Sequence, residues 1–399
     1  MTAHADASAS AAALPRPLAE RSQIGSFKVM DVMRAAADHA ARGEAIIHME
    51  VGQPGTGAPR HAIEAVAGMI GRDTLGYTLA LGRPDLRARI AQHYRDHYGV
   101  NVAPERVVIT SGSSAGFVLA YLMLFADGET VALPSPGYPC YRQVAQALGV
   151  RQMLLTTGPD DRWMPTAKQV ADAYRDGATG LLLASPANPT GTMLSPARLE
   201  ALVRLSDEAG CWFISDEIYH CLSYNEEERT ALSYSGNAIV INSMSKYFSM
   251  TGWRVGWMVL PEAMVPTAER LTQNLYISAP NVSQVAAAAA FDATEELAEN
   301  RAQYARNRKM LLDGLPKVGL DRIVPSDGAF YVYCDVSAYT DDSLAFTDAM
   351  LRETGIAASP GLDFDPDRGH HYVRFSYAGT GDDMKAALDA LAAWQRLRR

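Results

Sequence analysis

Cysteine is scarce in this chain, with Cys140, Cys211, Cys221 and Cys334 the only four in 399 residues. None forms a CxxC pair and none has metal-ligand spacing, which excludes a disulfide scaffold and the usual zinc motifs as sequence patterns. Free thiols in a reducing compartment are the expectation, with Cys211 packing as a small hydrophobe in an apolar run. Positive charge is also in short supply. The chain has 36 Lys and Arg against 45 Asp and Glu, a formal net charge of −9. That balance counts against nucleic acid as a partner and leaves room only for a local basic pocket. No run is long and apolar enough to cross a bilayer, so no membrane role is expected. Residues 1–20 are rich in alanine and serine, and Asp6 precedes any basic residue. A secretory signal has the reverse order, so this segment reads as a flexible arm and the chain as cytoplasmic. No GxGxxG follows an early strand, which counts against a dinucleotide-dependent oxidoreductase. His370 and His371 are adjacent but have no third ligand nearby, and no metal is expected.

What the chain does have is the composition of an ordinary globular protein, 48% hydrophobic and 20% charged. Its length favours two intimately packed domains over a single core. Short apolar runs alternate with helical patterns, which indicates an α/β architecture: a mostly parallel central sheet flanked by helices, plus a smaller α/β domain. Val107-Val108-Ile109 reads as a strand ending at Thr110, followed by a helix from Ala115 to about Phe125. Leu181 to Ala184 is the continuous run expected of a buried parallel strand. Ser195 is placed to cap a helix with Pro196 in its first turn and Gly210 at its end. Cys211 to Ile214 and Ile239 to Ile241 read as further strands. From about Gln303 the pattern gives a helix, a strand at Tyr331 to Tyr333, a helix from Ser343 to Glu353, a strand at Tyr372 to Phe375 and a last helix. The expected division is a small domain from residues 21–52 and 303–399, and a large ligand-binding domain from 53–302.

Polar residues fall at the ends of three of these strands: Asn188, Asp216, and Ser243 to Lys246. Ligands of open α/β sheets collect at the carboxyl ends of strands. Thr110-Ser111-Gly112-Ser113-Ser114 opens a helix, where free N–H groups and the helix dipole favour a phosphate, although the same residues serve a plain helix cap equally well. Ser243, Ser245 and Arg254 can supply hydroxyls and a guanidinium fork to that phosphate. Asp216 can accept from a ring nitrogen and hold it protonated, which makes the ring an electron sink. Asn188 and Tyr219 can donate to a ring oxygen, Tyr138 can stack on the ring face, and Lys246 supplies an amine.

Three segments together resemble the class I/II aminotransferases of fold type I. They are Ser185-Pro186-Ala187-Asn188-Pro189-Thr190-Gly191, then Ser215-Asp216-Glu217-Ile218-Tyr219, then Ser243-Met244-Ser245-Lys246 with Thr251-Gly252-Trp253-Arg254-Val255-Gly256. The similarity runs from about Val51 to Phe375. It implies that pyridoxal 5′-phosphate is the cofactor and that Lys246 holds it as a Schiff base, then shuttles a proton during transfer of an amino group to a 2-oxo acid. It implies that Asp216 meets the ring nitrogen, Asn188 and Tyr219 the ring oxygen, and Ser113, Ser114, Ser243, Ser245 and Arg254 the phosphate. It further implies that Arg374 grips the substrate α-carboxylate with help from the Gly52 N–H, and that Tyr77 reaches a partner's site in a homodimer. By residue type alone, Arg374 also suits a salt bridge, Gly52 a turn and Tyr77 a core position.

Some relatives that accept acidic substrates carry a lysine where this chain has Ser114. No substitute cation is near it in sequence. Tyr77, Tyr138, Phe330 and the region of Ile24 suggest an apolar or aromatic side-chain pocket, hence a neutral or aromatic donor. The same catalytic set would serve a C–S β-lyase or a ring-forming synthase. A non-catalytic ligand sensor is the more distant alternative, and the expected arm carries no helix-turn-helix.

Overall fold

The structure is a computed structural model and describes residue 14 and residues 16–397. Most of the arm expected over residues 1–20 lies outside the described residues. The strands run, in chain order, β1 (Ile47–His48), β2 (Val107–Thr110), β3 (Thr130–Ser135), β4 (Arg151–Thr156), β5 (Ala178–Ala184) and β6 (Trp212–Asp216). They continue with β7 (Ile239–Ser243), β8 (Gly256–Val259), β9 (Tyr331–Asp335), β10 (Ile356–Ala357), β11 (Ser359–Pro360) and β12 (Tyr372–Ser376).

Seven of them form the central sheet in the order β2-β8-β7-β6-β5-β3-β4. Only β8 runs against the rest, pairing antiparallel with both β2 and β7. Apolar side chains of the sheet are buried on both faces, Leu181 and Leu183 in one cluster and Leu182 in another. That two-sided burial is why these strands read as unbroken apolar runs rather than alternating ones. The helix at Pro196–Ala209 forms as expected: the Ser195 hydroxyl accepts from the Arg198 N–H, Pro196 sits in its first turn, and Gly210 ends it at φ +66°.

A second core is built from the end of the chain, with Val332, Val373 and Phe375 of the β11-β12-β9 sheet and Phe330 just before β9 among its members. Met49 belongs to it, and β1 pairs in parallel with β10, so the N-terminal segment packs with the C-terminal one.

Two boundaries differ from the sequence reading. The helix expected from about Gln303 begins at Thr294, because Glu295 and Glu296 suit a helix N-terminus while their polarity hides the buried stripe Leu297, Tyr304 and Leu311. Gly256–Val259 is a full strand although it directly follows the polar Thr251–Arg254 segment, and its antiparallel partners on both sides compensate for its brevity.

Register brings the polar strand ends to one edge. Ala184 lies opposite Asp216, Asp216 opposite Ile241, and Ser243 and Thr110 both opposite Gly256. The end of β5 that leads to Asn188, the end of β6 and the end of β7 that leads to Lys246 therefore share one rim of the sheet.

Candidate active site

A cleft of about 190 Å³ opens at that rim. Gly52, Ser113, Ser114, Tyr138, Asn188 and Asp216 line it, together with Tyr219, Ser245, Lys246, Arg254 and Arg374. Two expected contributors stand apart. Ser243 lies behind Ser245, within 2.8 Å of its hydroxyl, and donates to the Val255 carbonyl, so it positions Ser245 rather than facing the cleft. Tyr77 is 83% exposed and outside its own chain's cleft. Phe330 is fully buried in the second core, edge-on to Tyr219, and Ile24 is exposed. The apolar wall comes instead from Phe27, Val29 and Met30 with Ile218. Phe27 precedes helix α1 (Lys28–Ala41), whose first N–H groups, from Lys28 and Val29, donate to the buried Asp363 carboxylate.

The charged residues lining the cleft are three cations, Lys246, Arg254 and Arg374, and one carboxylate, Asp216. This excess suits a ligand that brings more than one negative charge.

Asp216 is buried, and burial pushes its carboxyl up to about 6, against the Tyr141 hydroxyl and the Ile218 N–H that donate to it. A cationic ring nitrogen would relieve that cost. Tyr141 was not anticipated from the sequence; its signal is helical spacing, three residues after Tyr138 and one turn on. Its hydroxyl favours the ionised carboxylate, so Tyr141→Phe is expected to raise the Asp216 pKa by about one unit or more. Turnover should drop roughly tenfold, with a matching shift in the pH profile of the bound cofactor's absorbance. An unchanged profile would remove Tyr141 from this role.

Lys246 moves the other way. Burial first, then the nearby Arg374 charge, lowers its ammonium to about 8, with Asp216 opposing. Its Nζ donates to the Gly52 carbonyl. Gly52 admits no side chain, because a Cβ there would sit 1.8 Å from the Tyr331 hydroxyl. That hydroxyl shares a 2.7 Å hydrogen bond with Tyr219.

The phosphate-like end of the cleft is the start of α4 (Ser113–Leu124), the fourth helix after α1, α2 (Arg60–Met69) and α3 (Pro84–Tyr98). No side chain caps α4 and no acidic residue lies in its first turn, so its leading N–H groups face the cleft without an internal acceptor. Gly112 at φ +77° makes the turn, and a Cβ there would meet the Arg254 guanidinium at 2.4 Å. The chain is thus shaped to bring Arg254 against the helix start.

Arg374 is 2% exposed and lies between the rings of Tyr331 and Phe364, at 4.3 and 4.7 Å. It donates to the Asn188 side-chain oxygen at 2.8 Å, the Ser359 hydroxyl at 3.0 Å and the Glu50 carbonyl. Ser359 is its cross-strand neighbour. Among the described residues no carboxylate forms an ion pair with it, and its Nε is buried without a partner. Buried charges are ordinarily paired, so this guanidinium is arranged for an anion from outside the fold.

The family model for aminotransferase class I and II matches residues 44–391. The chain belongs to the class I and II aminotransferases. It is 45% identical to the valine–pyruvate aminotransferase of Mycobacterium tuberculosis, over 94% of this chain and 98% of that protein. An aminotransferase crystal structure from the same organism superposes with a TM-score of 0.93 at 45% identity, over 95% of this chain and 99% of that one. The aspartate aminotransferase of Thermus thermophilus with maleate gives a TM-score of 0.90 at 28% identity, over 94% and 99%. The chain is therefore an aminotransferase of fold type I, and this family implies dependence on pyridoxal phosphate with amino acids and 2-oxo acids as substrates. The uncapped helix start, the lone buried carboxylate and the amine of lowered pKa fit that cofactor.

Proposed function

We propose that this aminotransferase takes its amino group from a neutral, branched-chain amino acid and passes it to a short 2-oxo acid. One observation carries the reading. Arg374 accounts for a single substrate carboxylate, and past it the lining is Phe27, Val29, Met30 and Ile218, with no cation left over once Lys246 and Arg254 are committed to the cofactor. The 45% identical relative named for valine and pyruvate supports it.

When bound, pyridoxal phosphate supplies a carbonyl for the donor nitrogen and a ring that withdraws electrons from the substrate Cα. The protein's residues do the rest. The N–H groups of Ser113 and Ser114, the Ser245 hydroxyl and Arg254 would hold the phosphate, with Ser243 steadying Ser245. Asp216 would keep the ring nitrogen protonated, and Asn188 and Tyr219 would hold the ring oxygen. Arg374, with the Gly52 N–H lining the same cleft, would fix the α-carboxylate so that the Cα–H faces Lys246. The Lys246 Nζ would accept that proton from Cα and, from the same face, give it back to complete the transfer. Tyr138 and Tyr141 wall the cleft.

Tyr77 is best explained by a homodimer. The Gly76 carbonyl accepts from Asn281 and the Thr78 hydroxyl from Gln284, so the backbone on both sides is held while the ring stands in solvent. A fixed outward aromatic suits insertion into a partner's site. We retain the two-domain division at residues 52/53 and 302/303, although Tyr219 and Leu222 pack in the second core and the 302/303 boundary falls within the helix Thr294–Gly314, and the cytoplasmic assignment, which rests on composition.

The test is rapid mixing of loaded enzyme with single donors. Valine should change the cofactor absorbance once and stop until a 2-oxo acid is added, with kcat/KM at least about tenfold above that for aspartate, the scale on which a pocket of fixed polarity discriminates. Faster reaction with aspartate would overturn the substrate reading. Continuous release of ammonia and pyruvate from a β-substituted donor without acceptor would favour the lyase.

A further inference from the structure

A cavity larger than the active-site cleft lies elsewhere. It has a volume of about 710 Å³ and shares no lining residue with the active-site cleft. At its wall, the fold brings together three side chains that the sequence keeps apart: His97 from the last turn of α3, and Cys221 and Glu228 from the loop that follows β6. The ligating atoms of all three lie within 4.8 Å of one another. The Cys221 Sγ is 3.9 Å from the His97 Nε2, which is 3.1 Å from the Glu228 Oε1. Tetrahedral zinc, with bonds of about 2.3 Å to sulfur and 2.0–2.1 Å to nitrogen and oxygen, puts such atoms roughly 3.3–3.6 Å apart. Small rotamer adjustments would close the difference.

We propose that His97, Cys221 and Glu228 form a binding site for a divalent transition metal, zinc by the chemistry of its ligands, with one coordination position open to the cavity. The supporting groups are already in place. The Glu228 Oε2 accepts from the Cys221 N–H at 2.8 Å and the Ser223 hydroxyl at 2.6 Å, which leaves Oε1 turned towards His97. The Tyr98 hydroxyl donates to that Oε1 at 3.3 Å. The His97 ring is stacked on His93 at 5.4 Å and 13°, which fixes its plane. Partners that orient ligands in this way are half of what makes a metal site. Cys221 also holds φ +68°, a left-handed conformation that residues other than glycine avoid unless the surroundings impose it. Asp96, Glu226 and Glu227 join Glu228 around the cavity against Arg89 and Arg301, an acidic surround that favours a cation. The site would tie α3 to the loop that begins at Glu217, directly after Asp216 at the end of β6. No sequence spacing could reveal it, because His97 and Cys221 are 124 residues apart.

The experiment uses cofactor-loaded enzyme, stripped with a chelator and titrated with cobalt(II) and with zinc against a colorimetric competitor. The expected result is one metal per chain, with a thiolate-to-cobalt charge-transfer band and d–d bands of tetrahedral intensity. Cys221→Ser should abolish the charge-transfer band. His97→Ala, at an exposed position, should weaken zinc binding at least about tenfold. Both variants should keep transaminase activity, which shows that they fold, and zinc should raise the thermal midpoint only where the three ligands are intact. Absence of the charge-transfer band at stoichiometric cobalt, or zinc affinity unchanged in both variants, would overturn the site.

Discussion

Lys246→Ala is expected to abolish turnover, lowering kcat/KM by at least about 10⁴, because the proposed mechanism has one side chain both anchor the cofactor and move the proton. Among the described residues, Lys246 is the only side-chain amine lining the cleft. With its ammonium lowered to about 8, roughly half of it is free base at pH 8, against about 0.3% for an ordinary lysine. Lys246→Arg should not rescue, since a guanidinium stays charged. Borohydride reduction of the wild-type holoenzyme should fix the cofactor to the peptide containing Lys246 and leave the alanine variant unlabelled. Label on another lysine, such as Lys309 in its surface ion pair with Asp313, would refute the assignment.

The same shift predicts how stability should respond to pH. The folded apoprotein binds fewer protons at Lys246 than the unfolded chain between pH of about 8 and about 10.5. This residue's penalty is therefore fully present below 8 and relieved as pH rises through that window. The alanine variant of the apoprotein should accordingly unfold at the same or a higher temperature at neutral pH, and any such advantage should shrink as pH rises. Loss of turnover without loss of fold is the joint result to look for in calorimetry.

Much of this was legible in the sequence because it depends on local rules. The Ser195–Gly210 helix carries its own start and stop signals, and Leu181 to Ala184 could be read as a strand because both its faces are buried. The convergence of Asn188, Asp216 and Lys246 followed from one rule about strand ends. What escaped depends on contacts across the fold. Tyr141 matters through a hydrogen bond to Asp216 from 75 residues away, and Tyr331 through its approach to Gly52 and Arg374. Ser243 has the right residue type in the right motif, yet a 2.8 Å bond turns it towards Ser245 and away from the cleft. The apolar wall was sought at Tyr77, Tyr138, Phe330 and the region of Ile24, and of the named residues Tyr138 lines the cleft while Tyr77, Phe330 and Ile24 do not. Most of the wall came from the start of α1, whose placement depends on Asp363, more than 330 residues further on.

Arg374 supplies the second large effect, and its environment separates a substrate contact from a structural arginine. A structural arginine would be paired with a carboxylate. This one is buried between two aromatic rings, bonded to neutral oxygens, and has no anionic partner among the described residues. Its positive charge is desolvated and its donors are held in plane by Asn188 and Ser359, so a substrate carboxylate bound as proposed would meet a preorganised fork. Removing one partner of such a pair costs on the order of 2–5 kcal/mol. Arg374→Ala should therefore lower kcat/KM by about thirty-fold to several thousand-fold, for the amino acid and the 2-oxo acid alike. Arg374→Lys should recover only part of this, because an ammonium cannot reproduce two parallel bonds in a plane. The cofactor's absorbance should persist in both variants, as neither touches the phosphate end of the cleft. Arg254→Ala should do the opposite and weaken retention of the cofactor itself, measurable by dialysis and reconstitution. If Arg374→Ala stays within a few-fold of wild type, the carboxylate binds elsewhere, and the substrate orientation that directs the Cα–H at Lys246 fails with it.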